Sequence, residues 1–80
     1  MTHYRKPSIE ALQEIVDQKQ AVRFKYEGRS KSVLVDLFTA SAIMAVYRHL
    51  NEKNQGQVRE LIKTPQGLGR MAHIAFERTR

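Results

Sequence analysis

The stretch that decides the fold is residues 21–36, AVRFKYEGRSKSVLVD. Within it, the apolar residues Val22, Phe24 and Tyr26 alternate with charged residues, a two-residue repeat that is typical of a half-buried strand. A turn glycine follows at Gly28, and the β-branched run around positions 33–35 predicts a second strand. The stretch therefore predicts a β-hairpin.

Apolar residues at helical spacing lie on both sides of this hairpin. Before it, Ser8 is a candidate N-cap for a helix over residues 9–18. After it, apolar residues recur every three or four positions up to about Leu50, which predicts a second helix capped by Asp36 or Thr39.

Two further helices complete the predicted order. Asn51 can end the second helix and begin the third, and Thr64 can cap a fourth helix whose first residue is Pro65. The glycines after Pro65 form a weak anion-binding motif, and we interpret them mainly as positions that permit close packing. The predicted fold is α+β, a small single domain of residues 1–80 in the order α-β-β-α-α-α, in which a basic β-hairpin packs on a helical bundle. Residues 1–7 are predicted to be a flexible N-terminal segment.

The apolar pattern predicts one core, and it leaves two arrangements of the hairpin open. An isolated two-stranded hairpin is only marginally stable, so its apolar face lies either on the helices or in a homodimer formed through the hairpin. The residues predicted to share the core are Phe24, Val33, Ile43, Val46, Leu50, Leu61, Leu68, Met71 and Phe76.

The charge of the chain favours an anionic partner. Fourteen Lys and Arg residues against eight Asp and Glu residues give a formal net charge of +6. If the apolar strand residues face the core, the basic residues of the hairpin lie on the opposite face, where they can contact nucleic-acid phosphates or protect a strand edge against aggregation. Helix four adds two arginines on its outward side. The predicted binding residues are Arg23, Lys25, Arg29, Lys31, Arg70 and Arg78.

Little in the sequence suggests catalysis, a cofactor or a membrane. The chain has no cysteine, and its histidines form no metal-binding pair, so we predict no metal and no cofactor. Ser41, Asp36 and His49 contain the residue types of a hydrolytic triad but lack its sequence context. No membrane partner is expected, because the most apolar stretch is too short and too often interrupted to span a bilayer. Without a signal-peptide pattern, a cytoplasmic location is predicted.

Residues 35–43, VDLFTASAI, followed by VYRHLNE at 46–52, resemble a family of small uncharacterised proteins of tailed bacteriophages. The resemblance covers about residues 33–76. It implies a phage-encoded protein made in the bacterial cytoplasm, and it supplies no assigned reaction and no catalytic residue.

These observations predict a non-enzymatic binding module that engages nucleic acid through the basic hairpin. The alternative is a host-protein-binding modulator or inhibitor made by a bacteriophage, and an enzyme is the third possibility. A host protein is favoured by two absences: no aromatic platform is interleaved with the charges, and no good recognition helix is present. Nucleic acid is favoured by the charge.

Overall fold

The structure, a computed structural model, describes residues 4–28 and 32–78. Its elements are β1 (Tyr4–Arg5), α1 (Ile9–Gln18), β2 (Val22–Phe24), β3 (Val33–Val35), α2 (Leu37–Arg48), α3 (Glu52–Leu61) and α4 (Pro65–Arg78). The α+β class is confirmed, and the predicted order α-β-β-α-α-α is found from α1 onward. The strand β1 precedes it and was not predicted.

The sheet has three strands in the order β1-β2-β3, so β2 lies at its centre. The strand β1 is parallel to β2, with Tyr4 opposite Arg23 and Arg5 opposite Phe24. The strands β2 and β3 are antiparallel neighbours, as in the predicted hairpin, with Arg23 opposite Leu34. Since β3 has one partner strand in the described part of the chain, the homodimer through the hairpin stays a prediction.

Each helix begins at a side chain that accepts a hydrogen bond from a free backbone N–H, as the sequence predicts. Such caps satisfy donors that the first helical turn leaves unpaired. For α2 the cap is Asp36 rather than Thr39, and its hydrogen bond from the Thr39 N–H lowers the pKa of the carboxyl group. The caps and their donors are Ser8 with Ala11 at 3.0 Å, Asp36 with Thr39 at 2.8 Å, Asn51 with Asn54 at 2.9 Å and Thr64 with Gly67 at 3.0 Å.

The core lies between one face of the sheet and the helices. Val22, Phe24 and Tyr26 are all buried, which shows that the hairpin packs on the helical bundle of its own chain. The largest fully buried side chains come from both layers: Phe24, Leu12, Ile15, Ile43, Ile62 and Val35. The helices do not cover the opposite face of the sheet.

The predicted core is wrong for Phe76, which is 44% exposed. The helix α4 buries Leu68, Met71 and Ala75, and these three residues define its inward stripe. Phe76 follows Ala75 by one residue, about 100° further around the helix, and so lies at the edge of the stripe. Three other predicted core residues, Val33, Leu50 and Leu61, are only partly buried.

Candidate nucleic-acid interface

The face of the sheet turned away from the helices carries basic, aromatic and apolar side chains. Strand residues alternate between the two faces, so Arg23 points away from the core that buries Phe24. Lys25 directly follows β2, and its ammonium lies over the Tyr4 ring on the same face as Arg23. Tyr4 and Leu34 pair in register with Arg23 from its two sides and share its face. We call Tyr4, Arg23, Lys25 and Leu34 the outer face.

The outer face is accessible and its residues contact one another. Tyr4 is 51% exposed and Leu34 55% exposed. The Lys25 ammonium lies over the Tyr4 ring, 5.4 Å from its centroid, a distance that allows a cation–π contact. An Arg23 guanidinium nitrogen lies 3.4 Å from the Ser32 hydroxyl, at the long end of hydrogen-bonding distance.

A wide cleft of about 830 Å³ adjoins the outer face and shares Lys25 with it. Among the residues that the structure describes, the cleft is lined by the positive Lys6, Lys25 and Lys63 and by the acidic Glu27. The Lys63 ammonium forms an exposed ion pair with Glu60, at 2.7 Å, and exposed pairs of this kind are weak enough to exchange for another anion. The outer face and the cleft thus form one positive surface.

Tyr26 fixes the position of the cleft. Its hydroxyl donates a hydrogen bond of 3.1 Å to the carbonyl oxygen of Ile62, which ties the end of β2 to the junction between α3 and α4. The residue is only 6% exposed, and this burial raises the pKa of its phenol to about 12. The side chain therefore stays neutral at physiological pH and holds the two walls of the cleft together.

Arg5 lies on the other side of β1 and is already paired. Its guanidinium forms an ion pair with Glu14 of α1 at 2.9 Å. Arg5 stands opposite the buried Phe24 in the sheet register, so it lies on the other face from Arg23 and is not counted as part of the positive surface.

The structure brings together two of the six predicted binding residues. Arg23 and Lys25 lie on the outer face, as predicted from the alternation. Arg29 and Lys31 lie outside the described residues. Arg70 and Arg78 are exposed on α4, and neither lines the cleft. These two are eight residues apart, about 12 Å along the helix axis.

The binding residues predicted from the sequence did not include Tyr4, Lys6, Leu34 or Lys63. The prediction that no aromatic platform is interleaved with the charges did not take Tyr4 into account, which lies opposite Arg23 and under Lys25. The available signal was the adjacency of an aromatic and two basic residues at positions 4–6, but a two-residue strand gives no periodic pattern. No local signal marks Lys63.

The candidate hydrolytic triad is not assembled. Asp36 caps the beginning of α2 and His49 its end, which places them about 18–20 Å apart along the helix.

Within residues 4–28 and 32–78, no group of three or more potential metal-ligating side chains is found. In the same part of the chain, every helix is too short or too polar to cross a bilayer.

Residues 35–52, on which the sequence analysis based the resemblance to phage proteins, have a structural role here. They include the buried residues Val35 and Ile43 and the helix caps Asp36 and Asn51, so they define where α2 and α3 begin. The resemblance itself stays a prediction. Comparisons with known protein families, with curated proteins and with solved structures found no match for this chain.

Proposed function

We propose that this protein is a non-enzymatic module that binds nucleic acid through the outer face and the adjoining cleft. The observation that supports it is the position of Lys25, which joins Arg23 on the outer face to Lys6 and Lys63 in the cleft. These four positive side chains come from three segments of the chain, and among the described residues the acidic one lining the cleft is Glu27.

Such a surface suits a phosphate backbone. Lysine and arginine side chains that replace the counterions of a polyanion gain free energy when those ions are released into solution. The side chains on this surface are long and exposed or half-buried, so they can adjust to phosphates at several spacings. Binding of this kind is independent of sequence and weakens steeply as salt rises.

The test compares the salt dependence of binding in two double variants. One variant removes two positive charges from the outer face, and the other removes two from α4. For Arg23→Gln with Lys25→Gln, the log–log slope of affinity against salt should fall by about 1.4–1.8 on an oligonucleotide that the wild type binds, single-stranded or duplex, since each lost contact removes about 0.7–0.9 of a unit. The matched control is Arg70→Gln with Arg78→Gln, which gives the same net charge and should leave the slope nearly unchanged. Fluorescence anisotropy of a labelled oligonucleotide at several salt concentrations measures both variants.

Folding must be checked on the same variants. Exposed substitutions away from caps and core usually change the free energy of unfolding by no more than about 0.5 kcal/mol, so both double variants should unfold like the wild type. A wild type that binds neither duplex nor single-stranded oligonucleotides at low salt would reject the proposal. If the salt slope fell more in the Arg70→Gln, Arg78→Gln control than in the Arg23→Gln, Lys25→Gln variant, the binding site would lie on α4 instead.

Binding to a host protein is the second candidate function, and exposed apolar residues favour it. Phe38, at the beginning of α2, is 79% exposed, and Leu34 of the outer face is also largely exposed. A phage protein acting as a modulator or inhibitor in the bacterial cytoplasm would use such side chains as contacts. Capture from bacterial lysate that survives nuclease treatment, and that is lost in Phe38→Ser, would support this function.

A further inference from the structure

We infer that the nucleic acid bound by the outer face is single-stranded, with an unpaired base stacked on Tyr4. This inference rests on the proposed function and adds the form of the ligand to it. The feature that carries it is an aromatic ring set among cations on an exposed sheet face.

The sheet presents the Tyr4 ring to solvent. Pairing with β2 fixes the backbone of Tyr4 opposite Arg23, and about half of the residue's surface remains exposed. Because this pairing fixes the backbone before binding, less conformational entropy is lost when a base stacks on the ring than on a residue of an unpaired segment. Base stacking on such rings tolerates any base, because every base has a π-face.

Lys25 occupies the face of the ring on which the base would stack. Its ammonium lies over the ring at 5.4 Å from the centroid. A cation over an exposed ring is held more weakly than a stacked base, so a base can displace it. The displaced ammonium lies beside the stacked nucleotide, where a backbone phosphate provides its new partner.

Arg23 and Leu34 lie beside Tyr4 on the outer face. Tyr4, Arg23 and Leu34 stand side by side on three strands, so neighbouring residues in this row are about 5 Å apart. A base stacked on Tyr4 therefore has a cation next to it that can contact the phosphate of the same nucleotide. In a duplex the base faces are covered by their neighbours, and Tyr4 has no base to stack on.

The experiment compares three ligands of the same sequence: a single-stranded DNA, a single-stranded RNA and the duplex DNA, each fluorescently labelled. In Tyr4→Leu, affinity for the strand that the protein binds should fall about 5- to 100-fold, the usual effect of losing one stacked base. Duplex affinity should change less than twofold. Tyr4→Phe keeps the ring and should bind the single strand like the wild type.

Phe38→Leu is the matched control, because it also removes an exposed ring, from α2 instead of the sheet. It should leave single-strand affinity unchanged. The inference is overturned if Tyr4→Leu weakens neither ligand, weakens both equally, or has the same effect as Phe38→Leu. Those results leave nucleic-acid binding itself intact, whereas a wild type that binds none of the three ligands rejects the proposed function as well. Comparison of the DNA and RNA arms shows which strand is preferred.

Discussion

Gly67 lies where the first turn of α4 meets the end of α3, and the structure leaves no room there for a side chain. A Cβ atom at this position would overlap the carbonyl group of Leu61 and would lie 2.9 Å from the Thr64 hydroxyl oxygen that caps α4. Gly67 is also buried, so the added methyl group has no route into solvent. The junction between the two helices therefore requires glycine.

Gly67→Ala should lower the free energy of unfolding by about 1–3 kcal/mol or more, because overpacking displaces the helix and its cap. Gly69→Ala is the matched control in the same helix, since its Cβ would meet no atom within 4 Å. That change should raise stability by about 0.5–1 kcal/mol through helix propensity. Urea denaturation measures both, and a similar response of the two variants would contradict the packing assigned to Gly67.

At the scale of elements, Tyr26 joins the sheet to the α3–α4 junction, and this link makes stability depend on alkaline pH. Burial raises the pKa of Tyr26 from 10.0 to about 12, so the folded state holds the phenol proton more tightly than the unfolded state does. The resulting stabilisation is complete below pH 10 and is lost as pH rises toward 12. A shift of two units corresponds to about 2–3 kcal/mol.

Tyr26→Phe separates this effect from the titration of the lysines, which both proteins share. At pH 8 the variant should be less stable by about 1–3 kcal/mol, because the Ile62 carbonyl loses its donor. Between pH 10 and 12 the difference should shrink or reverse, since the variant has no phenol to ionise. Thermal or urea unfolding across this pH range gives the comparison, and parallel stability profiles would show that Tyr26 does not control the alkaline loss.

The elements that local signals define were predictable, and β1 was not. The cap at Ser8 and the apolar spacing after it predict α1 over residues 9–18, because both signals lie within a few residues of the helix end. The strand β1 exists through its parallel pairing with β2, almost twenty residues away, and two residues carry no period. The central position of β2 in the sheet was missed for the same reason.

At the scale of the whole molecule, the candidate surface was only partly predictable. Alternation in β2 places Arg23 and Lys25 on one face, and that much follows from sequence. Lys6 reaches the surface because β1 joins the sheet, and Lys63 because Tyr26 fixes the α3–α4 junction beside it. Both depend on contacts between distant segments, to which a periodic pattern gives no access.

The sheet and the helices bury a common core, so the domain should unfold as one unit. Phe24 on β2 and Ile43 on α2 are both fully buried. Phe24→Ala should cost about 3–5 kcal/mol and Ile43→Ala about 2–5 kcal/mol, a large part of the stability of a small domain. Phe76→Ala is the comparison, and its exposed position limits the expected loss to about 1 kcal/mol.

Two probes decide whether the loss is shared between layers: far-ultraviolet circular dichroism for the helices and amide NMR signals of β2 for the sheet. In each variant both probes should report the same urea midpoint. The sheet and the helices bury their apolar side chains against each other, so neither layer should stay folded alone. Helices that persist after the β2 signals are lost would show a helical unit stable without the sheet. The sheet, which carries the outer face, would then unfold separately from the helices. The measured nucleic-acid affinity would have to be corrected for the fraction of molecules in which the sheet is unfolded.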